Sequence, residues 1–372
     1  MEFAQHSLAA DSEDNTESMS AAELEKRRAM EENLNPGAGD TTRILSFKAK
    51  APAAKDDHLN NMKVLYSTGK PNAPKAANTR AVPTTPEKIL DAPDMLNDFY
   101  LHLMDWSSTN LMAVALSAGV YIWNAADGGI EQLCQREAEE EYVSSVAWLK
   151  QGNVLAVGDS CGVVQLWDAA TSKLMRSMGG HGDRVACLDW AQHLLASGGR
   201  DGAVVLHDVR VAEHEVGRLC GHQQEVCGLT WAGDGRTLAS GGNDNCVQLW
   251  SLAGGEQPLS TITAHQVRFI VDYRYYLGKY KFISFCAQSA VKAVSWCPWQ
   301  AGILATAGGT VDRTVRVWNT ASMTQLQHTD TGSQVSSIAW NAEYREMITG
   351  HGFSHNQLTV WKYPSMSKVR DR

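Results

Sequence analysis

The stretch that decides the fold is residues 221–250, GHQQEVCGLTWAGDGRTLASGGNDNCVQLW. Three short runs rich in apolar residues, EVCGLTW, TLASG and CVQLW, are separated by turns of Gly, Asp, Arg and Asn. Runs of this length between such turns indicate short antiparallel strands. An isolated hairpin or small sheet is only marginally stable in water. We therefore expect this stretch to be one unit of a larger array.

The unit recurs along the chain with a period of about 42 residues. Eleven of the twelve tryptophans fall on two ladders with this spacing, and His207 fills a gap in the second ladder. The ladders are Trp106, Trp148, Trp190, Trp231, Trp296 and Trp340, and Trp123, Trp167, Trp250, Trp318 and Trp361. Four short strands per unit, repeated radially, predict a β-propeller.

Each unit resembles the WD repeat, in which His, Ser or Thr, Asp and Trp form a buried chain of hydrogen bonds. In the unit quoted above, the resemblance implies that this fold tetrad is His222, Ser240, Asp244 and Trp250. The third unit matches with His181, Ser197, Asp201 and His207, and the fifth with His265, Thr306, Asp312 and Trp318. The second unit places Ser160 at the acid position, and the sixth has Gly332-Ser333 instead of Gly-His. The predicted fold class is all-β, a WD-repeat propeller of a seven-bladed family with about six repeats here.

The first 105 residues contain no tryptophan. Residues 1–40 carry ten acids and three bases, and residues 41–88 carry nine bases and three acids. Too little apolar surface is present to offset the entropy of ordering. We predict a disordered tail with short linear motifs over residues 1–85, with one short helix as an option near 21–33, and a propeller over residues 86–369.

Residues 267–288, VRFIVDYRYYLGKYKFISFCAQ, interrupt the period. Without them the fourth and fifth units follow at the normal spacing. The segment carries seven of the 17 Phe and Tyr residues, and its charge is basic. We predict an insertion outside the blades, which arises from a retained intron or gene-model error or, alternatively, serves as an aromatic, basic binding loop.

Composition excludes several classes of function. A net charge of −8 argues against a general nucleic-acid binder. No apolar window is long enough for a membrane helix, and the N-terminus has no secretory pattern. Eight cysteines without a CxxC pair favour reduced thiols, with no metal site. The segment 158–162, GDSCG, matches a serine-nucleophile motif but occupies a turn of the repeat, where the required strand-to-helix turn is not expected. We therefore expect that the protein is not an enzyme, and we expect no cofactor.

The segment before the first blade carries the most specific resemblance. Residues 86–108, PEKILDAPDMLNDFYLHLMDWSS, are similar to the fizzy family, also called the cell division cycle protein 20 family. The strings DVRVAEHEV at 208–216 and GHGFSHNQLTVWKYPSM at 350–366 agree with this family as well. The resemblance implies an activator of the anaphase-promoting complex, a ubiquitin ligase, rather than a catalyst.

The resemblance also implies the partners. They are the anaphase-promoting complex, substrates that carry degrons, such as cyclins and securin, and spindle-checkpoint proteins, with no nucleic acid and no membrane. The expected localisation is the nucleus and cytoplasm. The alternatives are a generic WD-repeat scaffold and an inactive truncated isoform. A scaffold has no reason to carry the segments at 86–107 and 41–67.

Degrons are short peptides that contain either a KEN sequence or a destruction box with Arg and Leu. The resemblance implies that Asp91 pairs the destruction-box Arg, although it is equally compatible with an ordinary loop acid. It implies a KEN-binding surface from a second group, which is Asp98, Phe99, Asn243, Asn245, Thr310 and Gln334. Asn243 and Asn245 flank a fold acid and are also suited simply to forming the turn.

One motif in the tail resembles the mitotic branch of the family. Arg43, Ile44, Leu45, Ser46 and Phe47 are similar to a short strand that a spindle-checkpoint protein captures. An extended apolar strand with a basic flank suits β-augmentation. We therefore predict that Arg43–Phe47 binds the checkpoint protein.

Three family features do not occur in the sequence given. They are the N-terminal basic docking box, the seventh blade and the C-terminal Ile-Arg tail. On this ground we expect a truncated or mis-spliced form that activates the ligase weakly or not at all.

Overall fold

The computed structural model describes residues 21–34, 85–136, 141–265, 267–274, 280–287, 289–353 and 355–371. Contacts divide the chain into two units, Met1–Ile89 and Leu90–Arg372. The first contains helix α1 (Ala21–Leu34), at the position of the optional helix. The remainder of the predicted tail before residue 85, including Arg43–Phe47, lies outside the described residues.

The described residues of the second unit form six four-stranded antiparallel sheets and one two-stranded sheet, and in each sheet the strands neighbour one another in chain order. The strands of blades 1 to 3 are β1 (Met104–Trp106), β2 (Leu111–Leu116), β3 (Gly119–Asn124), β4 (Ile130–Gln135), β5 (Val143–Trp148), β6 (Val154–Asp159), β7 (Val164–Asp168), β8 (Lys173–Met178), β9 (Val185–Ala191), β10 (Leu194–Gly199), β11 (Ala203–Asp208) and β12 (Glu215–Cys220).

Blades 4 to 6 continue the same pattern, with one additional strand pair between blades 4 and 5. The strands are β13 (Val226–Trp231), β14 (Thr237–Gly242), β15 (Val247–Ser251), β16 (Ser260–Ile262), β17 (Val267–Arg274), β18 (Tyr280–Ala287), β19 (Ala293–Trp296), β20 (Ile303–Ala307), β21 (Thr314–Asn319), β22 (Thr324–Asp330), β23 (Val335–Asn341), β24 (Glu346–His351), β25 (Leu358–Lys362) and β26 (Ser367–Asp371). The predicted all-β propeller architecture is confirmed.

Apolar packing between successive blades holds the array together. The first strands of neighbouring blades contact each other, so these strands line the centre. Five buried apolar clusters lie between blades 1 and 2, 2 and 3, 3 and 4, 4 and 5, and 5 and 6. A fully buried leucine, such as Leu155, Leu195, Leu238 or Leu304, contributes about 1.5–3 kcal/mol. In the described residues, no helix is long and apolar enough to cross a membrane.

The four fold residues in blade 4 form one continuous chain of hydrogen bonds. His222 Nδ1 lies 3.0 Å from Asp244 Oδ2, and His222 Nε2 lies 2.7 Å from Ser240 Oγ. The Trp250 indole donates to the same Ser240 Oγ at 2.8 Å. Each polar group of this buried chain therefore has a partner, which a low-dielectric interior requires.

Blade 6 builds the same kind of chain with the residue types exchanged between positions. Ser333, two residues before the first buried valine Val335, lies 2.9 Å from His351 Nδ1. His351 Nε2 lies 2.7 Å from Thr349 Oγ1, which also accepts a hydrogen bond from the Trp361 indole at 2.9 Å. The imidazole thus comes from the end of β24 instead of from the loop between blades, which explains the missing Gly-His pair.

The turn of blade 2 differs by one residue from the sequence prediction, which placed Ser160 at the acid position. Gly162 has a positive φ of 83°, as have Gly202 (80°) and Asn245 (66°) at the equivalent place in blades 3 and 4. This register puts Cys161, not Ser160, at the position of Asp244. The GDSCG stretch joins two antiparallel strands, whereas a serine nucleophile needs a strand-to-helix turn.

The segment that interrupts the repeat forms a separate sheet of two strands. β17 pairs with β18 in an antiparallel register from Val267 opposite Ala287 to Arg274 opposite Tyr280. Neither strand belongs to a four-stranded blade sheet. In blades 3 and 4 the loop His lies four residues before the first buried Val, as in His222 and Val226. His265 and Val291 would have the same spacing without residues 267–288.

Deleting residues 267–288 is therefore expected to leave the melting temperature unchanged or to raise it by a few degrees. A two-stranded sheet contributes little stability by itself, and the shortened loop matches the other blades. Thermal unfolding of the full chain and of the deletion variant measures the effect. A fall in melting temperature of 10 °C or more would show that the strand pair supports the blades.

Candidate functional site

One end of the propeller centre carries a ring of residues at equivalent positions. Each precedes the first fully buried valine of its blade, and the valines are Val143, Val185, Val226, Val291 and Val335. The ring residues are Tyr142, Arg184, Glu225, Ala290 and Gln334. In an antiparallel blade, the turn between the second and third strands lies at this same end. We call the ring together with these turns the channel mouth.

An ion-pair cluster crosses the channel mouth. Arg184 donates from Nε and Nη2 to the Glu225 carboxylate at 2.7 and 2.9 Å, and from Nη1 to Asp98 Oδ2 at 2.9 Å. The hydroxyl oxygen of Tyr142 also accepts a hydrogen bond from Arg184 Nη1, which is longer at 3.4 Å. The paired hydrogen bonds to Glu225 raise the pKa of Arg184, so the guanidinium stays charged. Arg184 thereby joins blades 2, 3 and 4 to the segment before blade 1.

That segment, residues 98–102, runs across the centre and contacts several blades. His102 Nε2 lies 2.8 Å from the Cys227 carbonyl oxygen, and Lys292 Nζ donates to the Leu101 carbonyl at 2.8 Å. The Lys292 ammonium also lies 5.4 Å from the centre of the Phe99 ring. Burial, with the nearby Lys292 charge, lowers the pKa of His102 to about 3, so His102 is neutral at physiological pH.

Asp98 and Phe99, two of the residues predicted from the sequence, therefore both lie at the channel mouth. The Asp98 carboxylate accepts hydrogen bonds on both oxygens, from the Tyr100 backbone N–H at 2.9 Å and from Arg184. Its side chain remains one-third exposed. A carboxylate oxygen has two lone pairs, so Asp98 retains acceptor capacity for a ligand.

Asn243 and Asn245 lie in the same turn but differ in their surroundings. Asn243 is half-buried and receives a hydrogen bond from the Tyr100 hydroxyl at 3.0 Å. Asn245 is buried, has a positive φ and accepts the backbone N–H of Ser289 in the next blade. The Asn245 side chain therefore holds the turn and the neighbouring blade, while Asn243 is the more accessible of the two.

Thr310 and Gln334 complete the predicted group at this end. Thr310 is exposed in the turn between β20 and β21, and Gln334 is half-buried directly before β23. The Val335 N–H donates to the Gly308 carbonyl at 3.4 Å, which brings the two segments together. The predicted KEN-binding residues thus come from the segment before blade 1 and from blades 4, 5 and 6.

Sequence reasoning missed Tyr100, Arg184, Gln224 and Lys292. Arg184 could have been found from its position, because the residue before the first buried valine of each blade faces the channel mouth. The roles of Tyr100 and Lys292 depend on contacts between distant parts of the chain, and no spacing rule reveals them.

Asp91 lies apart from this group, at a cavity of 670 Å³ beside blade 1. Residues 90–95 form one side of the cavity, and the outer face of blade 1 forms the other. Met104, Met112, Val114, Tyr121, Trp123 and Ile130 give this face an apolar lining. In the described residues, no buried apolar cluster packs blade 6 against this face of blade 1. The exposed Asp91 therefore stands at the edge of an apolar groove.

The described residues contain no group of three or more His, Cys, Asp or Glu side chains that could hold a metal ion. The cysteines whose side chains are described are all free thiols. The two candidate surfaces therefore offer hydrogen bonds, charge and apolar contact.

Comparison with known proteins gives consistent matches. A sequence model described as the CDC20/Fizzy WD40 domain matches residues 90–371. The "Anaphase-promoting complex subunit cdc20" of Dictyostelium discoideum is 44% identical over 338 residues, covering 89% of this chain and 63% of the relative. The "WD repeat-containing protein slp1" of Schizosaccharomyces pombe is 42% identical over 325 residues, covering 87% and 61%. The chain thus spans about three fifths of these two relatives.

Two further matches agree. The Arabidopsis thaliana protein "Cell division cycle 20.1, cofactor of APC complex" is 41% identical over 347 residues, covering 93% of this chain and 71% of the relative. A chain in the crystal structure of the mitotic checkpoint complex superposes with a TM-score of 0.71 at 42% identity, covering 89% of this chain and 88% of that chain.

Proposed function

The chain belongs to the CDC20/Fizzy family, and we propose that it is a substrate-recognition activator of the anaphase-promoting complex that binds degron peptides. In this role it is an adaptor and not an enzyme. The observation that carries the proposal is the group of partly exposed polar side chains at the channel mouth, where Arg184 pairs with Asp98 and Tyr100 with Asn243. Asp98, Asn243 and Thr310 lie on this surface with acceptor or donor capacity towards solvent.

The channel mouth has the chemistry for a KEN peptide. A peptide lysine requires an acceptor such as Asp98, and the peptide Glu and Asn require the donors and acceptors of Asn243, Thr310 and Gln334. These residues are partly exposed, so a ligand does not have to break a buried contact to reach them. Because Asn245 is buried and already bonded to Ser289, we propose it as support for this surface.

The groove at Asp91 suits the other degron. A destruction box offers an Arg and a Leu, which a carboxylate and an adjacent apolar lining can receive together. Arg and a carboxylate form charge-assisted hydrogen bonds that are stronger than neutral ones. We propose that Asp91 pairs this Arg while the Leu contacts the blade 1 face.

Variants at the two surfaces test the proposal. Asp91→Ala is expected to weaken destruction-box peptides by about 1–3 kcal/mol, the range for a hydrogen bond to a charged group. Asn243→Ala is expected to weaken KEN peptides and to leave destruction-box peptides unchanged. Fluorescence anisotropy with labelled peptides of each type measures both affinities. Equal losses on both peptides in each variant would indicate misfolding and contradict two separate sites.

The proposed partners follow from the family. They are the anaphase-promoting complex, degron substrates such as cyclins and securin, and spindle-checkpoint proteins, the last through Arg43–Phe47. Neither nucleic acid nor membrane binding is part of the proposal, and the proposed localisation is the nucleus and cytoplasm. Co-precipitation of the chain with the purified complex tests the first partner, and absence of binding at micromolar concentration would contradict it.

A further inference from the structure

The side-chain amide of Asn243 is held from two directions. Its Oδ1 accepts the Tyr100 hydroxyl proton at 3.0 Å, and its Nδ2 donates to Gln224 Oε1 at 2.8 Å. The backbone N–H of Asn243 donates to the Glu225 carbonyl at 2.9 Å, so the main chain is fixed as well. A primary amide has two N–H donors and two oxygen lone pairs. One N–H and one lone pair therefore remain for a ligand.

Tyr100 is itself fixed at the channel mouth. Its ring contacts Phe99 edge-on with centroids 5.6 Å apart, and the Arg184 guanidinium lies 5.9 Å from its centre. Burial, with the nearby carboxylates, raises the pKa of the Tyr100 hydroxyl, so the O–H keeps its proton and donates. Within the described part of the chain, Asn243 Oδ1 is the acceptor that this O–H reaches.

We infer that Tyr100 is a positioning residue that fixes the orientation of the Asn243 amide for peptide binding. The inference rests on the proposed KEN-binding role of Asn243. If the amide rotated by half a turn, its N–H groups would face Tyr100 and its oxygen would face the Gln224 oxygen. The rotated amide could still donate an N–H to the Tyr100 hydroxyl oxygen, but its own oxygen would oppose the Gln224 oxygen. Gln224 therefore selects one of the two amide orientations, and the Tyr100 hydroxyl holds the amide in that orientation before the ligand arrives.

Tyr100→Phe removes only the hydroxyl and retains the ring contacts. We expect the dissociation constant for a KEN peptide to rise about three- to tenfold, the range for one net hydrogen bond. The dissociation constant for a destruction-box peptide and the melting temperature are expected to stay unchanged. Fluorescence anisotropy and thermal unfolding of the full chain provide these measurements.

Tyr142→Phe is the matched control. The Tyr142 hydroxyl belongs to the same cluster, where it contacts Arg184 at 3.4 Å, but it has no bond to Asn243. We expect less than a twofold change in KEN affinity for this variant. An equal loss in both tyrosine variants would overturn the inference, because it would show a general loosening of the cluster.

The double variant Tyr100→Phe/Asn243→Ala separates positioning from direct ligand contact. If Tyr100 acts through Asn243, the hydroxyl removal has no further effect once the amide is absent. A loss in the double variant equal to the product of the single losses would overturn the inference.

A spectroscopic measurement decides the positioning independently of any peptide. In protein labelled with ¹⁵N-asparagine, Tyr100→Phe is expected to shift or broaden the Asn243 side-chain amide signals, and Tyr142→Phe is not. Unchanged signals in Tyr100→Phe would overturn the inference even if peptides bind. Shifted signals in a chain that binds no KEN peptide would support the positioning and contradict the proposed function instead.

Discussion

Arg184→Met is expected to lower the free energy of unfolding by about 3–5 kcal/mol, the cost of removing one partner of a buried ion pair. Glu225 is buried and accepts two hydrogen bonds from Arg184, and Asp98 accepts a third. Without the guanidinium, the buried Glu225 carboxylate would lose both of the hydrogen-bond donors that Arg184 supplies. Thermal or urea unfolding of the wild type and the variant measures the loss.

Two controls sharpen this prediction. Arg200→Met removes an exposed arginine that lies 3.8 Å from Asp183, and a surface pair of this kind is worth about 0–1 kcal/mol. The double variant Arg184→Met/Glu225→Gln is expected to recover part of the stability, because the buried charge is removed as well. Equal losses for Arg184→Met and Arg200→Met would contradict the cluster as a stabilising element.

Trp250→Ala is the second substitution with a large expected effect. We expect it to lower the free energy of unfolding by about 3–5 kcal/mol. Trp250 is 1% exposed, packs in the cluster between blades 3 and 4, and donates to Ser240 Oγ. Its removal leaves a cavity and takes one donor from the fold tetrad. We expect a fall in melting temperature of roughly 6–20 °C, from about 2–4 °C per kcal/mol.

Trp106→Ala is the matched control for this substitution, because Trp106 is 53% exposed. Its ring touches Trp123 edge-on, so a small loss is expected. For Trp250→His we expect a loss of stability between those of Trp250→Ala and Trp106→Ala. Blade 3 itself places His207 at the equivalent position, 2.8 Å from Ser197 Oγ. A smaller loss for Trp250→Ala than for Trp106→Ala would show that the tetrad does not anchor the blade.

The propeller could be predicted because its signals are local. Each blade repeats the same strands and turns, so the spacing of Trp106, Trp148 and Trp190 defines the period without any long-range contact. The exchange in blade 6 could not be predicted, because Ser333 and His351 pair across 18 residues with the residue types reversed. The Ser160 position was wrong by one residue: Gly162, with its positive φ, is equivalent to Gly202, which puts Cys161 at the position of Asp201.

The candidate site was predictable only in part. Asp98 and Asn243 came from family resemblance, and the structure places both at the channel mouth. The groups that hold them came from contacts between residues far apart in the chain, such as Arg184 with Asp98 and Tyr100 with Asn243. Such contacts arise when the blades close around the centre. The position of Arg184 before Val185 indicates that it faces the channel mouth, but no spacing in the sequence identifies Asp98 as its partner.

Competition between the two peptide types tests the central claim most directly. A labelled KEN peptide is bound to the full chain, and unlabelled KEN or destruction-box peptide is then added while anisotropy is recorded. We predict that unlabelled KEN peptide displaces the probe and that destruction-box peptide does not, because Asn243 and Asp91 lie on separate surfaces. Equal displacement by both peptides, or no binding of the probe at all, would contradict the account.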